Sequence, residues 1–328
     1  MYQDPFERWA VFSGEPVAHW VALLTGCPGL PYHLHEMLAA AVLYIALYLA
    51  VGPVLRGWAP YARLAAPVRA AFAAHVVSEA NALLLLALSY PLFGDENLQT
   101  LVSWTPYSTF VCSCMAGYFI FDLYYTALWH KHNGWGFAIH AGTSLFVFLQ
   151  AVRPFMHSYA APYIWFEAST PFVNINWLAT NVPGVVSKKW QTINGVLLII
   201  VFTACRVVPG PINGYYLFRE ALFHPLENVP YWVVLVVFVC YISLTALNTF
   251  WFVKMLVVAF GVITGKSSLP SSAASTAKPE ANLPTEPAVE VEALKSEPVK
   301  ADQAPIKAAS EPKAEPMRPA RAVRKRKI

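Results

Sequence analysis

The stretch that decides the fold class is residues 230–260, PYWVVLVVFVCYISLTALNTFWFVKMLVVAF, which contain a single charged side chain, Lys254. About 20 mostly apolar residues are enough for a helix to cross the hydrocarbon core of a bilayer. We therefore predict a membrane-spanning helix here. Its length would let the helix tilt or project beyond the membrane.

Six further apolar segments of similar character precede this run. The seven predicted spans, with ends uncertain by a few residues, cover roughly 35–55, 70–92, 107–129, 134–153, 160–182, 193–213 and 230–260. The fourth and fifth are short and contain polar residues, and the fifth holds Pro171. Six or eight spans remain open, because the fifth segment could be re-entrant and residues 17–30 could lie at the interface.

Composition supports this interpretation. Of the 328 residues, 57% are hydrophobic and 13% are charged, and residues 1–265 carry only 11 basic and 11 acidic side chains. A soluble fold needs far more surface charge, which excludes a cytosolic enzyme, a secreted disulfide scaffold and a globular nucleic-acid-binding protein. The predicted fold class is an all-α polytopic membrane protein. The cysteines, which we expect to act as small packing residues, are Cys27, Cys112, Cys114, Cys205 and Cys240.

Loop charges give the orientation. Basic residues concentrate in alternate connections, namely at Arg56, Arg63, Arg69, Lys131, Lys188, Lys189 and Lys266. Positively charged loops stay in the cytosol, so we expect the amino end outside and the carboxyl end in the cytosol. Residues 263–328 are predicted to form a disordered basic tail, since from Lys266 onward there are nine prolines and no aromatic residue.

Ionisable and amide side chains within predicted spans are costly and therefore candidate functional groups. At about 1.5 Å per helical residue, several of them fall in one slab near the cytosolic side. They are His75, Glu79, Asp122, His140, Asn174 and Asn176. Asn81 and Asn248 are further amides within spans.

Three pairings follow from spacing and depth. His75 and Glu79 lie four residues apart, so they share a helix face and could form a hydrogen bond. Glu167 and Arg206 come out at similar depth, and we predict a buried structural ion pair. For Asp122 and His140 two interpretations stay open, a carboxylate that orients a catalytic imidazole and a structural hydrogen bond between helices.

The histidines do not have metal-site spacing. His130, His132 and His140 do not form the histidine boxes of membrane di-iron enzymes. Glycine-rich phosphate loops and other common catalytic motifs are also missing from the sequence. We expect no metal centre and no cofactor.

Two stretches resemble the TLC-domain family. They are Gly117-Tyr118-Phe119-Ile120-Phe121-Asp122 and Phe166-Glu167-Ala168-Ser169-Thr170-Pro171-Phe172-Val173-Asn174-Ile175-Asn176-Trp177. The family includes ceramide synthases, translocon-associated TRAM proteins and TLC-domain lipid-homeostasis proteins, and the second stretch is most similar to the last branch. The resemblance covers 63–262, which leaves an N-terminal extracytosolic or interfacial segment (1–33), a first transmembrane helix with a basic loop (34–62) and the tail (263–328).

The resemblance implies six spans in a helical barrel around a cavity that admits a lipid chain. We expect four residues of the polar slab, namely His75, Glu79, Asn174 and Asn176, to form the polar lining of this cavity. The resemblance also implies the endoplasmic reticulum as location. In ceramide synthases a histidine pair and acidic residues carry N-acyl transfer from acyl-CoA. Asp122 matches the acidic position and His140 the first histidine, whereas Ala141 replaces the second.

Two functions from different classes follow. The favoured one is a TLC-domain protein that binds or senses lipid in its cavity and contributes to lipid homeostasis. The alternative is an N-acyltransferase that uses acyl-CoA, with His140 and Asp122 as catalytic residues. Ion transport is a weaker third hypothesis. The expected partners are membrane lipids, with acyl-CoA under the alternative and no nucleic acid. Homo-oligomerisation and whether the protein is an enzyme stay open.

Overall fold

The computed structural model describes residues 3–224, 226 and 229–265. The α-helices in these residues are α1 (Pro16–Thr25), α2 (Leu30–Leu55), α3 (Ala59–Ala62), α4 (Ala66–Ser89), α5 (Pro106–Leu128), α6 (His130–Asn133), α7 (Trp135–Gln150), α8 (Ala160–Ile164), α9 (Thr170–Asn181), α10 (Lys188–Phe202), α11 (Pro209–Phe223) and α12 (Tyr231–Ile263). No β-strand occurs in this part of the chain. The predicted disorder from Lys266 onward lies outside the described residues.

Short 3-10 and π segments connect several helices. The 3-10 turns are Glu7–Trp9, Tyr90–Gly94, His157–Tyr159 and Trp165–Ser169. A π-helical turn, Thr203–Val207, joins α10 to α11, so Lys188–Phe223 runs as one helical unit. Such turns rotate the following residues and frequently mark functional sites, and this one carries Arg206.

Five helical units are long and apolar enough to cross a membrane. They are Leu30–Leu55, Ala66–Gly94, Pro106–Leu128, Lys188–Phe223 and Tyr231–Ile263. The fourth predicted span is the shorter helix α7, and the fifth consists of α8, the Trp165–Ser169 turn and α9. The predicted fold class, an all-α polytopic membrane protein, is confirmed. The number of spans stays a prediction.

Local sequence explains where these helices begin. Pro106 occupies the first turn of α5, where no backbone N–H is needed. The Thr105 hydroxyl accepts a hydrogen bond from the Ser108 amide while the Ser108 hydroxyl accepts one from the Thr105 amide, which makes a capping box. A proline likewise lies in the first turn of α4, α9 and α11.

Six helices are connected by contacts into a closed ring. In order around it, α4 contacts α5, α5 contacts α7, α7 contacts α12, α12 contacts α10, α10 contacts α9 and α9 returns to α4. Helix α2 flanks the ring and packs against α5 and α4. A Cβ atom added at Gly117 would lie 2.5 Å from the Met37 carbonyl oxygen and 2.6 Å from Ala40 Cβ. Glycine is therefore required where α2 and α5 approach.

The outer surface of the long helices is apolar. Exposed aliphatic and aromatic side chains include Leu43, Leu49, Val196, Ile200, Leu235 and Phe260. In water such continuous apolar surface would associate, whereas in a bilayer it faces lipid. Polar groups instead lie inside, among them Asn81, Gln191, Asn194 and Asn248.

Candidate lipid-binding cavity

A cavity of about 110 Å³ lies between α5, α7, α8, the Trp165–Ser169 turn, the Thr203–Val207 turn, α11 and α12. Its wall is mostly apolar and includes Met115, Phe119, Phe148, Val237, Tyr241 and Leu244. The ionisable and amide side chains of this wall are His140, Glu167, Arg206 and Asn248, and the hydroxyl groups of Ser144, Thr245 and Thr249 also line it. A mainly apolar wall with a few polar groups is typical of ligand sites, although most hold about 300–1,000 Å³.

Arg206 is the best-connected polar group of the cavity. Its Nε donates hydrogen bonds to the Phe166 carbonyl oxygen at 2.9 Å and to Ser169 Oγ at 3.0 Å, and its Nη1 donates to Asn248 Oδ1 at 3.3 Å. The guanidinium also lies 5.3 Å from the centre of the Phe202 ring, where a cation is attracted by the π-face. These contacts fix the guanidinium at the wall and leave N–H groups of Nη1 and Nη2 for other acceptors.

Glu167 supplies the opposite charge. Its Oε1 lies 3.8 Å from Arg206 Nη2, and its Oε2 accepts a hydrogen bond from the Thr170 hydroxyl at 2.7 Å. Both charged side chains are 9% exposed. The structure thus brings together the two residues paired on the basis of depth. A buried pair of this kind is neutral overall, and removal of one partner would strand the other charge.

His140 and Asp122 are placed differently from each other. His140 lines the cavity, and its ring lies edge-on to Phe119 and Trp251, with centroids 5.8 and 5.7 Å away. Asp122 does not line this cavity. Among the described residues no hydrogen bond or ion pair joins the Asp122 carboxylate to the His140 imidazole, so the structure does not bring the predicted pair together.

His75, Glu79 and Asn174 form a separate network between α4 and α9. Because an amide oxygen only accepts, His75 Nδ1 donates to Asn174 Oδ1 at 2.7 Å, and Asn174 Nδ2 donates to Glu79 Oε2 at 2.7 Å. The His75 ring stacks on Trp177 with centroids 4.3 Å apart. Asn174 therefore bridges the two residues that were expected to bond directly. None of these side chains lines the cavity described above.

Asn176, the fourth residue of the predicted polar lining, lies two positions further along α9. It is partly exposed, and it does not line the cavity. Its carbonyl oxygen accepts a hydrogen bond from the Thr180 hydroxyl, whereas its side-chain amide makes no hydrogen bond within the described part of the chain. Asn176 is therefore a suitable control position for substitutions of Asn174.

A buried histidine outside the predicted spans was missed by the sequence analysis. His157 lies in the connection between α7 and α8 and is 1% exposed. Its Nε2 donates to the Arg153 carbonyl oxygen at 3.0 Å, and its Nδ1 lies 2.7 Å from the Ser108 hydroxyl. Burial lowers the pKa of His157 to about 4, although its bond to the Arg153 carbonyl opposes the shift. No sequence motif marks this residue, because one partner is a backbone carbonyl and the other, Ser108, lies on α5.

The ring of helices and the apolar outer surface define a multi-pass helical membrane protein. The TLC-domain family model matches residues 71–257. The chain therefore belongs to the TLC-domain family. The match falls within the predicted domain 63–262, and the boundaries of that domain stay a prediction.

Individual relatives agree with this assignment. An uncharacterized TLC domain-containing protein of Schizosaccharomyces pombe is 33% identical over 236 residues, which cover 70% of this chain and 80% of the relative. Topoisomerase I damage affected protein 4 of Saccharomyces cerevisiae is 31% identical, over 69% of this chain and 84% of its own length. An uncharacterized TLC domain-containing protein of the same yeast is 28% identical over 47% of this chain and 49% of its own length. No solved structure gives a significant match.

Proposed function

We propose that the protein binds a membrane lipid in the cavity beside Arg206 and Glu167 and contributes in this way to lipid homeostasis. The observation that carries the proposal is the composition of the cavity wall. One apolar chamber adjoins a fixed cation, Arg206, and a fixed anion, Glu167. An amphipathic lipid would bury part of its chain against the apolar wall and offer its polar group to these residues.

The size of the cavity limits what enters it. At about 110 Å³ it accommodates a short apolar segment, so a long acyl chain requires the ring to widen or the chain to leave the cavity between helices. The proposed setting is the endoplasmic reticulum membrane, with the carboxyl end in the cytosol. The alternating basic loops support this orientation.

A cavity-filling variant tests the proposal. Gly210 lines the cavity, and a Cβ atom there would make ordinary contact with Phe166 Cζ at 3.5 Å. Gly210→Leu adds four carbon atoms and should exclude a lipid chain. Gly142→Leu is the matched control, because Gly142 lies on α7 with no atom within 4 Å of an added Cβ.

The readout is labelling of the purified protein in nanodiscs by a photoactivatable sphingosine or fatty-acid lipid. Gly210→Leu should lower labelling about tenfold, which corresponds to about 1.4 kcal/mol of lost affinity, and Gly142→Leu should label like wild type. Equal labelling of all three proteins, with the crosslink mapped outside the ring, would place lipid binding elsewhere and contradict the proposal.

N-acyl transfer remains a second candidate because His140 faces the cavity. A histidine can act alone as base or nucleophile. The test expresses wild type or His140→Ala in cells that lack the endogenous protein, at equal protein abundance. Under this hypothesis wild type restores a lipid product and His140→Ala does not. If both versions restore the same lipid profile at equal abundance, catalysis through His140 is eliminated and lipid binding is retained.

A further inference from the structure

A compact group of potential metal ligands lies where the N-terminal segment meets the start of α2, and none of its residues lines the cavity. One ligand atom each from Asp4, His33 and Glu36 lies within 4.8 Å of the other two. His33 Nδ1 is 3.1 Å from Glu36 Oε2 and 4.0 Å from Asp4 Oδ2. His33 and Glu36 are three residues apart on one helix, so they share a face.

The two carboxylates of this group are buried and incompletely paired. The side chains of Asp4 and Glu36 are 1% and 0% exposed. Asp4 Oδ2 and Glu36 Oε1 are both buried, and neither has a hydrogen-bond partner among the described residues. Unpaired buried carboxylate oxygens are expensive, since the full desolvation cost is not recovered.

Two carboxylates that share one buried place also repel each other unless a cation or a proton lies between them. Two imidazoles lie beside the carboxylates, namely His33 and His35, and His35 Nε2 is 3.9 Å from Glu36 Oε1 while it is hydrogen-bonded to the Phe6 carbonyl oxygen. A neutral imidazole is itself a metal ligand. The group therefore has an excess of acceptor atoms over donors. Such an excess is what a bound metal ion compensates.

We propose that Asp4, His33 and Glu36 bind a divalent transition-metal ion, and we take Zn²⁺ as the chemical probe. One imidazole nitrogen and two carboxylate oxygens form a ligand set that zinc uses, with a water molecule in the fourth position. Zinc–ligand distances of about 2.0–2.1 Å separate two ligands of a tetrahedral site by about 3.3 Å. The observed His33–Glu36 and His33–Asp4 separations of 3.1 and 4.0 Å bracket this value. All three ligand atoms lie within 4.8 Å of one another, so the side chains would move closer together around an ion.

The bound ion would fasten the N-terminal segment to the helical body. Asp4 comes from that segment, whereas His33 and Glu36 belong to α2. Other contacts also join the N-terminal segment to the helices. His35 Nε2 donates a hydrogen bond to the Phe6 carbonyl oxygen at 3.1 Å, and the Phe6 ring lies 5.7 Å from Phe110 of α5. The proposed role is structural and is independent of lipid binding in the cavity.

The metal content of the full-length protein tests this assignment. The protein, without a polyhistidine tag, is purified in detergent from zinc-supplemented cells and analysed by mass spectrometry for metals. Wild type should carry about one zinc ion per chain, and Asp4→Asn and Glu36→Gln should each carry at least about tenfold less. Glu15→Gln is the control because Glu15 is an exposed carboxylate of the same segment, and it should keep the wild-type amount.

A second measurement covers the case in which a variant fails to fold. Wild-type protein stripped with a chelator is titrated with Zn²⁺, and its unfolding temperature should rise with zinc but not with Mg²⁺. Equal zinc in wild type, Glu36→Gln and Glu15→Gln would overturn the proposal. Absence of stabilisation by Zn²⁺, Mn²⁺, Co²⁺ and Ni²⁺ would also overturn it, and the two carboxyl groups would then be balanced by a shared proton.

Discussion

Replacement of Asn174 by leucine should destabilise the protein by removing both hydrogen bonds that join α9 to α4. His75 Nδ1 and Glu79 Oε2 would each lose a partner at 2.7 Å. Hydrogen bonds between membrane helices contribute on average about 0.6 kcal/mol and at most about 1.7 kcal/mol each. Two such bonds give an expected loss of about 1–3 kcal/mol, toward the upper end because Glu79 can carry a charge.

The assay is reversible unfolding of the purified protein in mixed micelles, followed by tryptophan fluorescence. Asn176→Leu is the matched control, since it makes the same substitution two residues along α9 at a side chain without hydrogen bonds in the described structure. The control should change the free energy of unfolding by less than about 0.5 kcal/mol. An equal loss for the two variants would refute the assignment of a stabilising network to Asn174.

A double-mutant cycle measures the coupling between His75 and Asn174 directly. His75→Phe removes one hydrogen bond but keeps a ring that can stack on Trp177. The bond between His75 and Asn174 is lost in either single variant, so it is lost only once in the double variant. The double variant should therefore be less destabilised than the sum of the single ones by about one hydrogen bond, 0.6–1.7 kcal/mol. Strict additivity would contradict the bridge.

Two further predictions concern packing and pH. Gly117→Ala should lower the free energy of unfolding by about 1–3 kcal/mol, because the added methyl group overpacks α5 against the Met37 backbone. Gly142→Ala is the control, and with open space around it the change should be neutral or stabilise by up to about 1 kcal/mol. Equal stability of the two variants in chemical unfolding would contradict the close approach of α2 and α5. Because the pKa of His157 is lower in the folded protein, about 4, than its ordinary value of 6.5, the unfolded chain binds the extra proton below pH 6.5. His157 alone should therefore lower the free energy of unfolding by about 3 kcal/mol between pH 6.5 and 4. His157→Gln should remove this loss, the exposed His130→Gln should retain it, and identical pH profiles for both variants would refute the assignment.

The sequence predicts the class of fold and the depth of the polar residues because both depend on one-dimensional properties. Hydropathy marks the long helices, and the constant rise per residue sets depth along each. Similar depth was the basis for predicting an ion pair between Glu167 and Arg206, and their charged atoms lie 3.8 Å apart in the structure. The same estimate put Asp122 and His140 in one slab, yet only His140 faces the cavity.

Depth along a helix does not say how the helix is rotated about its axis, and this rotation decides which side chains meet. Buried side chains occur all around α5, so its sequence carries little amphipathic signal that would orient Asp122. The position of Asn174 between His75 and Glu79 likewise depends on how α9 is turned toward α4. The Asp4, His33 and Glu36 group escaped detection for another reason, since Asp4 joins it from a distant part of the chain.

The His75 and Arg206 networks differ in how many of their hydrogen-bonding groups are used. Asn174 uses both its oxygen and its nitrogen between His75 and Glu79, which fits a role in holding two helices together. Arg206 has only part of its five N–H donors engaged, and it adjoins a cavity. A polar group with unused donors beside apolar space can bind the head of an amphipathic ligand at little reorganisation cost. Under the proposed function, bound lipid should therefore contact the cavity around Arg206 rather than the His75 network.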